Sequence, residues 1–237
     1  MRSLPLVLVF ALAVGCGGGQ PAPTAPANPE PAPEAATDAG PATEPAPAPA
    51  PAPAEPEKPA LKTPENLQAA YAGETDAATR YKAFAEAADK DKFKDVAAMF
   101  RAMSRAEELH AQKLADLITA AGGKPVAGTA KPEVKKTEEN IKAALAGETA
   151  ESSTVYPGFV ETAKAEGNSG AESVFKGMAE VEAGHAKLFK KADKDLAYWK
   201  KAEREFYLCP VCGLVTTSKK ESCSVCGTDP SAFEQIK

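Results

Sequence analysis

The chain is poor in the side chains that build metal and redox chemistry, so the places where they occur carry weight. It has two histidines, one tryptophan and five cysteines in 237 residues. Four of the cysteines lie within the last 29 residues, and the fifth is Cys16. Positive charge is in deficit: 28 Lys and Arg stand against 33 Asp and Glu, with no basic stripe. That excludes the electrostatic footprint of a nucleic-acid-binding protein. No apolar run approaches the roughly 20 residues that a membrane-spanning helix needs. No twin arginine precedes the apolar stretch near the start, so export of a pre-folded, metal-loaded protein is not indicated. Proline is scarce after residue 60, because fifteen of the 21 prolines come before it. A single fold over the whole length is therefore excluded, and the folded part is expected over roughly residues 61–237. Apolar residues make up 43% of the chain, which leaves room for a core there.

Residues 1–15 read as a secretory signal, with Met1-Arg2 followed by an apolar run from Leu4 to Val14. The run ends in Leu12-Ala13-Val14-Gly15-Cys16. Small residues directly before a cysteine resemble a bacterial lipoprotein cleavage site, with Cys16 as the lipidated first residue. Ala13 departs from the leucine usual at its position, and the alternative is plain secretion with a stray thiol. Residues 16–62 are rich in Pro and Ala, including an unbroken alternation from Pro45 to Pro53. Such a segment cannot bury a core and acts as a semi-rigid extended spacer. The expected product is exported, faces the periplasm or cell exterior, and touches the membrane through a lipid anchor only.

From Thr63 the composition changes to Ala, Glu, Lys and spaced apolar residues. Thr63-Pro64-Glu65 reads as a helix start with a capping hydroxyl and proline in the first turn. The spacing predicts four helices: Thr63 to about Asp89–Asp91, Phe93 to the stop at Gly122-Gly123, Thr137 to about Glu166, and about Ala171 to the Asp193–Trp199 region. Residues 124–136 form a long connection. The two halves repeat: Ala72-Gly73-Glu74-Thr75 recurs as Ala146-Gly147-Glu148-Thr149 at an offset of 74, and Glu107-x-x-His110 recurs as Glu182-x-x-His185 at 75. This pattern implies two helical hairpins joined by a crossover. Gly177 and Gly184 each weaken the fourth helix by about 1 kcal/mol relative to Ala, and are expected to mark close helix packing.

A lone Glu-x-x-His on a helix is ordinarily a solvated i,i+3 pair. Two of them use both histidines of the chain and stand in register with Glu74 and Glu148. Four carboxylates and two imidazoles then converge on a bundle interior, where such charges need compensation. Two divalent cations would supply it, with iron, manganese or zinc suited to this donor set. Glu108 and Glu180 are rotated off this face and read as solvent-facing. The repeat breaks at one place: Ala77 stands three residues after Glu74, but Glu151 stands three after Glu148. Glu151 is thus a seventh candidate ligand, suited to an asymmetric site, or else a surface acid.

Cys209-Pro210-Val211-Cys212-Gly213 and Cys223-Ser224-Val225-Cys226-Gly227 form two Cys-x-x-Cys knuckles. This is a strong tetrathiolate pattern that suits zinc or a single iron. Two disulfides are a third possibility in an exported protein.

Taken together, these motifs resemble the rubrerythrin family over roughly residues 64–237. The residues that carry the resemblance are Glu65-Asn66, Ala72-Gly73-Glu74, Arg80-Tyr81, both Glu-x-x-His pairs, Ala146-Gly147-Glu148-x-x-Glu151, Tyr156-Pro157 and the four cysteines. The resemblance implies an all-α, ferritin-like four-helix bundle over residues 63–200 and a small rubredoxin-like domain over 201–237. It implies a di-iron centre with Glu107 and Glu182 bridging, and with Glu74, Glu148 and His185 terminal. Glu151 and His110 would alternate on the mobile iron, and Tyr81 and Tyr156 would donate hydrogen bonds to ligands, unless they are simply core aromatics. One further iron, or zinc, would sit on Cys209, Cys212, Cys223 and Cys226. The implied activity is reduction of hydrogen peroxide to water, fed by an electron donor that the sequence does not name. A homodimer is implied too, on the ground that the small domain does not reach its own di-iron site. The rival reading is a ferritin-like iron-binding protein or ferroxidase with a structural zinc ribbon.

Overall fold

The structure, a computed structural model, describes residues 61–201 and 203–236. The signal-type segment, Cys16 and all but the last two residues of the Pro/Ala spacer lie outside the described residues. Among the described residues no helix is long and apolar enough to cross a membrane.

Five helical stretches build a ferritin-like bundle: α1 Thr63–Lys90, α2 Lys94–Ala120, α3 Thr137–Ala150, α4 Tyr156–Ala165 and α5 Ser169–Lys194. Each buries a stripe at three- and four-residue spacing, as Leu67, Ala70, Glu74, Ala77, Tyr81 and Phe84 do in α1. The start of α1 differs from expectation, because no side chain within its own first turn caps it. The Glu166 carboxylate, from just beyond α4, accepts the amides of Lys62 and Thr63 at 2.7 and 2.9 Å. A long-range carboxylate thus replaces the local hydroxyl, and it ties the two hairpins together at that end. The N-terminus of α5 is capped locally, with Asn168 Oδ1 accepting from Ala171 N. The crossover after α2 is strapped along α1: Gln68 brackets Val126, Thr75 Oγ1 accepts from Gly128 N, and Asp76 accepts from Ala130 N.

The expected third helix is not continuous. Residues Glu151–Val155 form one π-helical turn between α3 and α4, and Tyr156 N donates to Glu151 O five residues back. Its physical cause is visible in the repeat. Glu74 and Glu148 are offset by 74, whereas Tyr81 and Tyr156 are offset by 75, so one extra residue falls between Glu148 and Tyr156. An α-helix would carry that residue as a rotation of about 100°; the widened turn absorbs it instead. Ser152 and Ser153 donate to the carbonyls of Glu148 and Thr149 within this turn.

The core is aromatic on both sides of the bundle centre. Tyr81, Phe84, Phe100 and Phe189 meet at ring separations of 5.4–6.4 Å, and Tyr156, Phe159 and Phe175 at 5.2–6.1 Å. After α5 a short 3-10 turn, Tyr198–Lys200, leads to an antiparallel sheet ordered β2-β1-β3, with β1 Phe206–Leu208, β2 Val215–Thr216 and β3 Glu234–Ile236. Phe206, Leu208 and Val215 are buried in the same apolar cluster as Met99, Phe100, Leu188 and Phe189. The sheet therefore lies against α2 and α5. Gly184 sits under it, since a Cβ there would meet Leu214 Cδ1 at 2.5 Å. Close packing at Gly184 is thus to the small domain rather than to a helix, and Gly177 has nothing within 4 Å of its Cβ position.

Deleting Ser153 should let residues 137–165 close as one regular α-helix in which Tyr156 follows Glu148 by seven residues, the spacing of Glu74 and Tyr81 in α1, so that Tyr156 stays turned to the bundle centre. The far-ultraviolet dichroism should be unchanged, and zinc affinity of the bundle, measured by competition with a chelator, should escape the roughly ten- to hundredfold loss that follows when a ligand loses its supporting hydrogen bond; a loss of that size would mean that the π-turn is needed to hold Tyr156 on Glu74.

Candidate metal centre

The helical spacing brings the six predicted side chains of the repeat together at the bundle centre. Glu74, Glu107, His110 and Glu182 place ligand atoms within 4.8 Å of one another, as do Glu107, Glu148, Glu182 and His185. Glu107 and Glu182 belong to both groups. Glu107 turns Oε2 to His110 Nδ1 at 3.0 Å and Oε1 to His185 Nδ1 at 3.6 Å. Glu182 likewise offers Oε1 to His110 Nδ1 at 3.0 Å and Oε2 to His185 Nδ1 at 2.7 Å. One carboxylate oxygen toward each half is the geometry of a bridge. Glu74 completes the first half and Glu148 the second. None of the six is more than 2% exposed. Glu108 and Glu180 point to solvent, as expected.

Each imidazole is oriented from behind by a backbone carbonyl. His110 Nε2 lies 2.9 Å from Cys212 O, and His185 Nε2 lies 3.1 Å from Gly213 O. A carbonyl only accepts, so Nε2 carries the proton and the Nδ1 lone pair is left facing the centre. The carboxylates are held in a crossed pattern: Tyr81 donates to Glu148 at 2.5 Å, and Tyr156 donates to Glu74. Both tyrosines are also core aromatics, so the two sequence readings of them coincide.

The donor set fits two cations. Both oxygens of Glu107 and of Glu182, one of Glu148, and both histidine Nδ1 atoms are buried without a hydrogen-bond partner. Such orphaned atoms are costly unless a ligand occupies their common focus. The electrostatics agree. Burial first, and then mutual repulsion, holds the Glu74 and Glu107 carboxyls well above their ordinary range. Burial raises Glu148 too, against the pull of His185. Burial would lower both histidines, but Glu182 overrides it and raises them, and His110 and His185 together hold Glu182 low against its own burial.

Glu151 stands apart. It is the first residue of the π-turn, partly exposed, and outside both four-residue groups. Burial, then the charges of Glu148 and Glu182, push its carboxyl up to about 8, against the pull of Arg80 and His110. It is electrically part of the centre, while His110, its partner in the expected alternation, lies within the first group of clustered donors.

Cys209, Cys212, Cys223 and Cys226 converge at the edge of the sheet, all within 4.8 Å. The thiols are free, with Sγ–Sγ separations of 3.5 Å for Cys209–Cys226 and 3.4 Å for Cys212–Cys223. A disulfide is about 2.05 Å long, so the disulfide reading of these cysteines is not what the structure shows. A metal with about 2.3 Å bonds to four sulfurs fits the spacing. Hydrogen bonds from the Thr228 hydroxyl and amide hold the exposed Cys226 thiol down at about 6, against burial.

The expectation that the small domain falls short of its own bundle is also corrected. The Cys212 and Gly213 carbonyls of the same chain rest on its own histidines. Gly213 has a φ of 93°, and a Cβ there would collide with His110 Nε2. Sequence reasoning missed these two carbonyls because backbone acceptors carry no residue signature, and the glycine after the first knuckle is the one trace of them in the sequence.

A buried carboxylate–imidazole dinuclear site in a ferritin-like bundle, with a tetracysteine domain docked on it, defines a class of di-iron proteins. Within that class, the Rubrerythrin family profile matches residues 65–193. The chain is 33% identical over 181 residues to a rubrerythrin of Porphyromonas gingivalis, covering 74% of this chain and 90% of that one. It is 34% identical over 173 residues to nigerythrin of Nitratidesulfovibrio vulgaris, covering 72% and 85%. Among solved structures, the fully reduced, all-ferrous state of nigerythrin superposes with a TM-score of 0.70 at 32% identity, covering 77% and 90%. A Desulfovibrio desulfuricans bacterioferritin, at 22% identity and a TM-score of 0.55, shares the fold. The chain belongs to the rubrerythrin family. It is a di-iron oxidoreductase of the rubrerythrin type, with a four-cysteine site that accepts iron or zinc.

The raised carboxyls set a pH dependence for the metal-free chain. Glu74, Glu107, Glu148 and Glu151 bind protons more tightly folded than unfolded, so stability falls as pH rises from about 4.5 through about 8. The raised histidines act in the same direction. The lowered Glu182 contributes fully across that window, and its contribution is lost only at more acid pH. The Tm of metal-free protein should therefore drop between about pH 5 and about pH 8, and saturating zinc should flatten the slope because cations replace the protons.

Proposed function

We propose that this protein reduces hydrogen peroxide to water at its di-iron centre, with electrons entering singly through an iron on Cys209, Cys212, Cys223 and Cys226. The observation that carries the reading is the pair of hydrogen bonds from His110 and His185 to Cys212 O and Gly213 O. Cys212 is at once a thiolate of one site and the carbonyl partner of a histidine of the other, which makes a short covalent and hydrogen-bonded route between them. A structural zinc ribbon needs no such contact.

The overall change is H2O2 + 2 H+ + 2 e− → 2 H2O. Bound in the bundle, an iron pair would supply the two electrons and a Lewis-acid seat for the oxidant. The protein's own groups do the rest. Glu107 and Glu182 hold the two metal positions at a fixed separation, and Glu74 and Glu148 balance charge on either side. Tyr81 and Tyr156 keep those two carboxylates from rotating. Glu151 lies beside the ligands but outside them, free to move inward when His110 moves out, in line with the alternation that the family resemblance implies. The aromatic clusters on both sides keep bulk water away from the centre. A homodimer is the proposed assembly, although electron entry does not call for one, since each bundle carries its own four-cysteine domain.

Purified protein should hold about three irons per chain, two in the bundle and one on the cysteines. Its visible iron–thiolate band should bleach on reduction and be missing in Cys223→Ser. Zinc on the cysteines of protein grown with ample iron, with no bleachable band, would instead support the storage or ferroxidase reading.

Glu151→Ala and Glu182→Ala should separate turnover from assembly. The first should keep most bundle iron and lose peroxidase rate by about tenfold or more, on the order of 1.4 kcal/mol of barrier. The second should lose metal, because it removes a bridge and leaves His185 without its closest carboxylate. Wild-type turnover in Glu151→Ala would reduce Glu151 to a surface acid.

We also infer export and lipidation at Cys16, from the apolar run ending in small residues and the spacer behind it. Cys16→Ser should move the protein from the membrane to the soluble exported fraction without changing the Tm of the folded part. Wild-type protein already fully soluble would end the anchor hypothesis.

A further inference from the structure

Asp95 is a buried acid that neither metal group uses. It lies in the first turn of α2, fully buried, and fifteen residues before His110 on the same helix, about 22 Å away. Its Oδ1 accepts the backbone amides of Glu203 and Arg204, each at 3.0 Å, and its Oδ2 takes the Arg204 guanidinium. The central carbon of that guanidinium lies 4.3 Å from the ring centres of both Tyr198 and Trp199. Two backbone amides and a cation therefore converge on one carboxylate at the mouth of α2.

Apolar residues would hold a linker down at least as well, because a buried ion pair is poor value as stability. A buried carboxylate with three directed donors does something else: it fixes position. The chain beyond Arg204 is short and tightly packed. Phe206 and Leu208 enter the bundle's own apolar cluster, Cys209 comes next, and Cys212 is eight residues from Arg204. At the far end the tolerance is small, since Leu214 lies against Gly184 and Gly213 against His110, with no space for a Cβ at either glycine. A shift at the clamp is carried along this strand to the two carbonyls.

We propose that Asp95 is a positioning residue for electron transfer. Its clamp on Glu203 and Arg204 sets the seat of the four-cysteine domain on α2 and α5, and through that seat the contacts of Cys212 O with His110 and Gly213 O with His185. The proposal rests on the reading that electrons pass from the thiolate-bound iron to the iron pair. In that step one electron leaves the ferrous thiolate-bound iron and one ferric iron of the pair is reduced, after the pair has given two electrons to peroxide.

The test uses the full chain carrying Asp95→Ala, with Arg204→Gln, which keeps both backbone bonds, as the milder variant should the first fail to fold. In the zinc-loaded, 15N-labelled protein, the two histidine Nε2–H signals should be sharp and downfield in the wild type. They should broaden or vanish in Asp95→Ala well below its Tm. In the iron-loaded protein, fully reduced with dithionite and mixed with one equivalent of hydrogen peroxide, the iron–thiolate band should reappear at least tenfold more slowly in Asp95→Ala and about threefold more slowly in Arg204→Gln. Oxidation of the iron pair itself should stay within twofold of wild type. Unchanged histidine signals and an unchanged rate of band recovery, with only a lower Tm, would overturn the proposal. Failure of the wild-type band to recover while its iron pair is oxidised would overturn the electron-transfer reading instead, and the zinc-loaded spectra would still decide whether Asp95 positions the domain.

Discussion

The fold depends on the burial of four carboxylates and two imidazoles on one focus. Unpaired, they would each be expensive in a helical core, and their orphaned atoms and upward-shifted carboxyls show that protein groups alone do not satisfy them. Everything around the centre either shares that charge or steadies the groups that carry it. The crossed tyrosine hydrogen bonds, the carbonyls behind the histidines and the aromatic layers on both sides all belong to this one requirement.

The centre is nearly symmetric, and its departures from symmetry are local. The repeat supplies one glutamate from each outer helix and one Glu-x-x-His from each inner helix. A single inserted residue then forces the π-turn, which keeps Tyr156 on Glu74 while placing Glu151 at the rim of the second half only. The asymmetry is thus written into the backbone of one helix and leaves the ligand geometry of both halves intact. Redox chemistry that alternates between two arrangements needs a movable group on one side, and a turn with a loosened hydrogen-bond ladder is a natural place for it.

Much of this was legible in the sequence, and the limits are instructive. The convergence of six side chains on the bundle centre was readable because helical spacing is a local rule and the repeat applies it twice. The cysteine knuckles were readable because metal geometry dictates their spacing. The cap of α1 was misread, since Thr63 offered a local hydroxyl but Glu166 arrives from far along the chain. The π-turn was encoded as a change of offset from 74 to 75, a signal that matters only once the two tyrosines are aligned as well. The docking of the small domain on its own bundle was not legible at all. It is made of carbonyls, of missing Cβ atoms and of a buried Asp95 that, in sequence, is one more acid in the first turn of a helix.

The two glycines that come after the knuckles look interchangeable on paper, and they are not. Both adopt left-handed backbone, at φ 93° for Gly213 and 75° for Gly227. Open space surrounds the Cβ position of Gly227, so asparagine, which visits that conformation at modest cost, is an acceptable replacement there. At Gly213 the same exchange would drive a side chain into the His110 ring. The first knuckle therefore answers to two demands, metal geometry and the ring behind it, and the second answers to one. Sequence drift in this domain should be lopsided: the second loop has room to vary in length and composition, whereas the first is held nearly rigid by a neighbour that is not part of its own metal site.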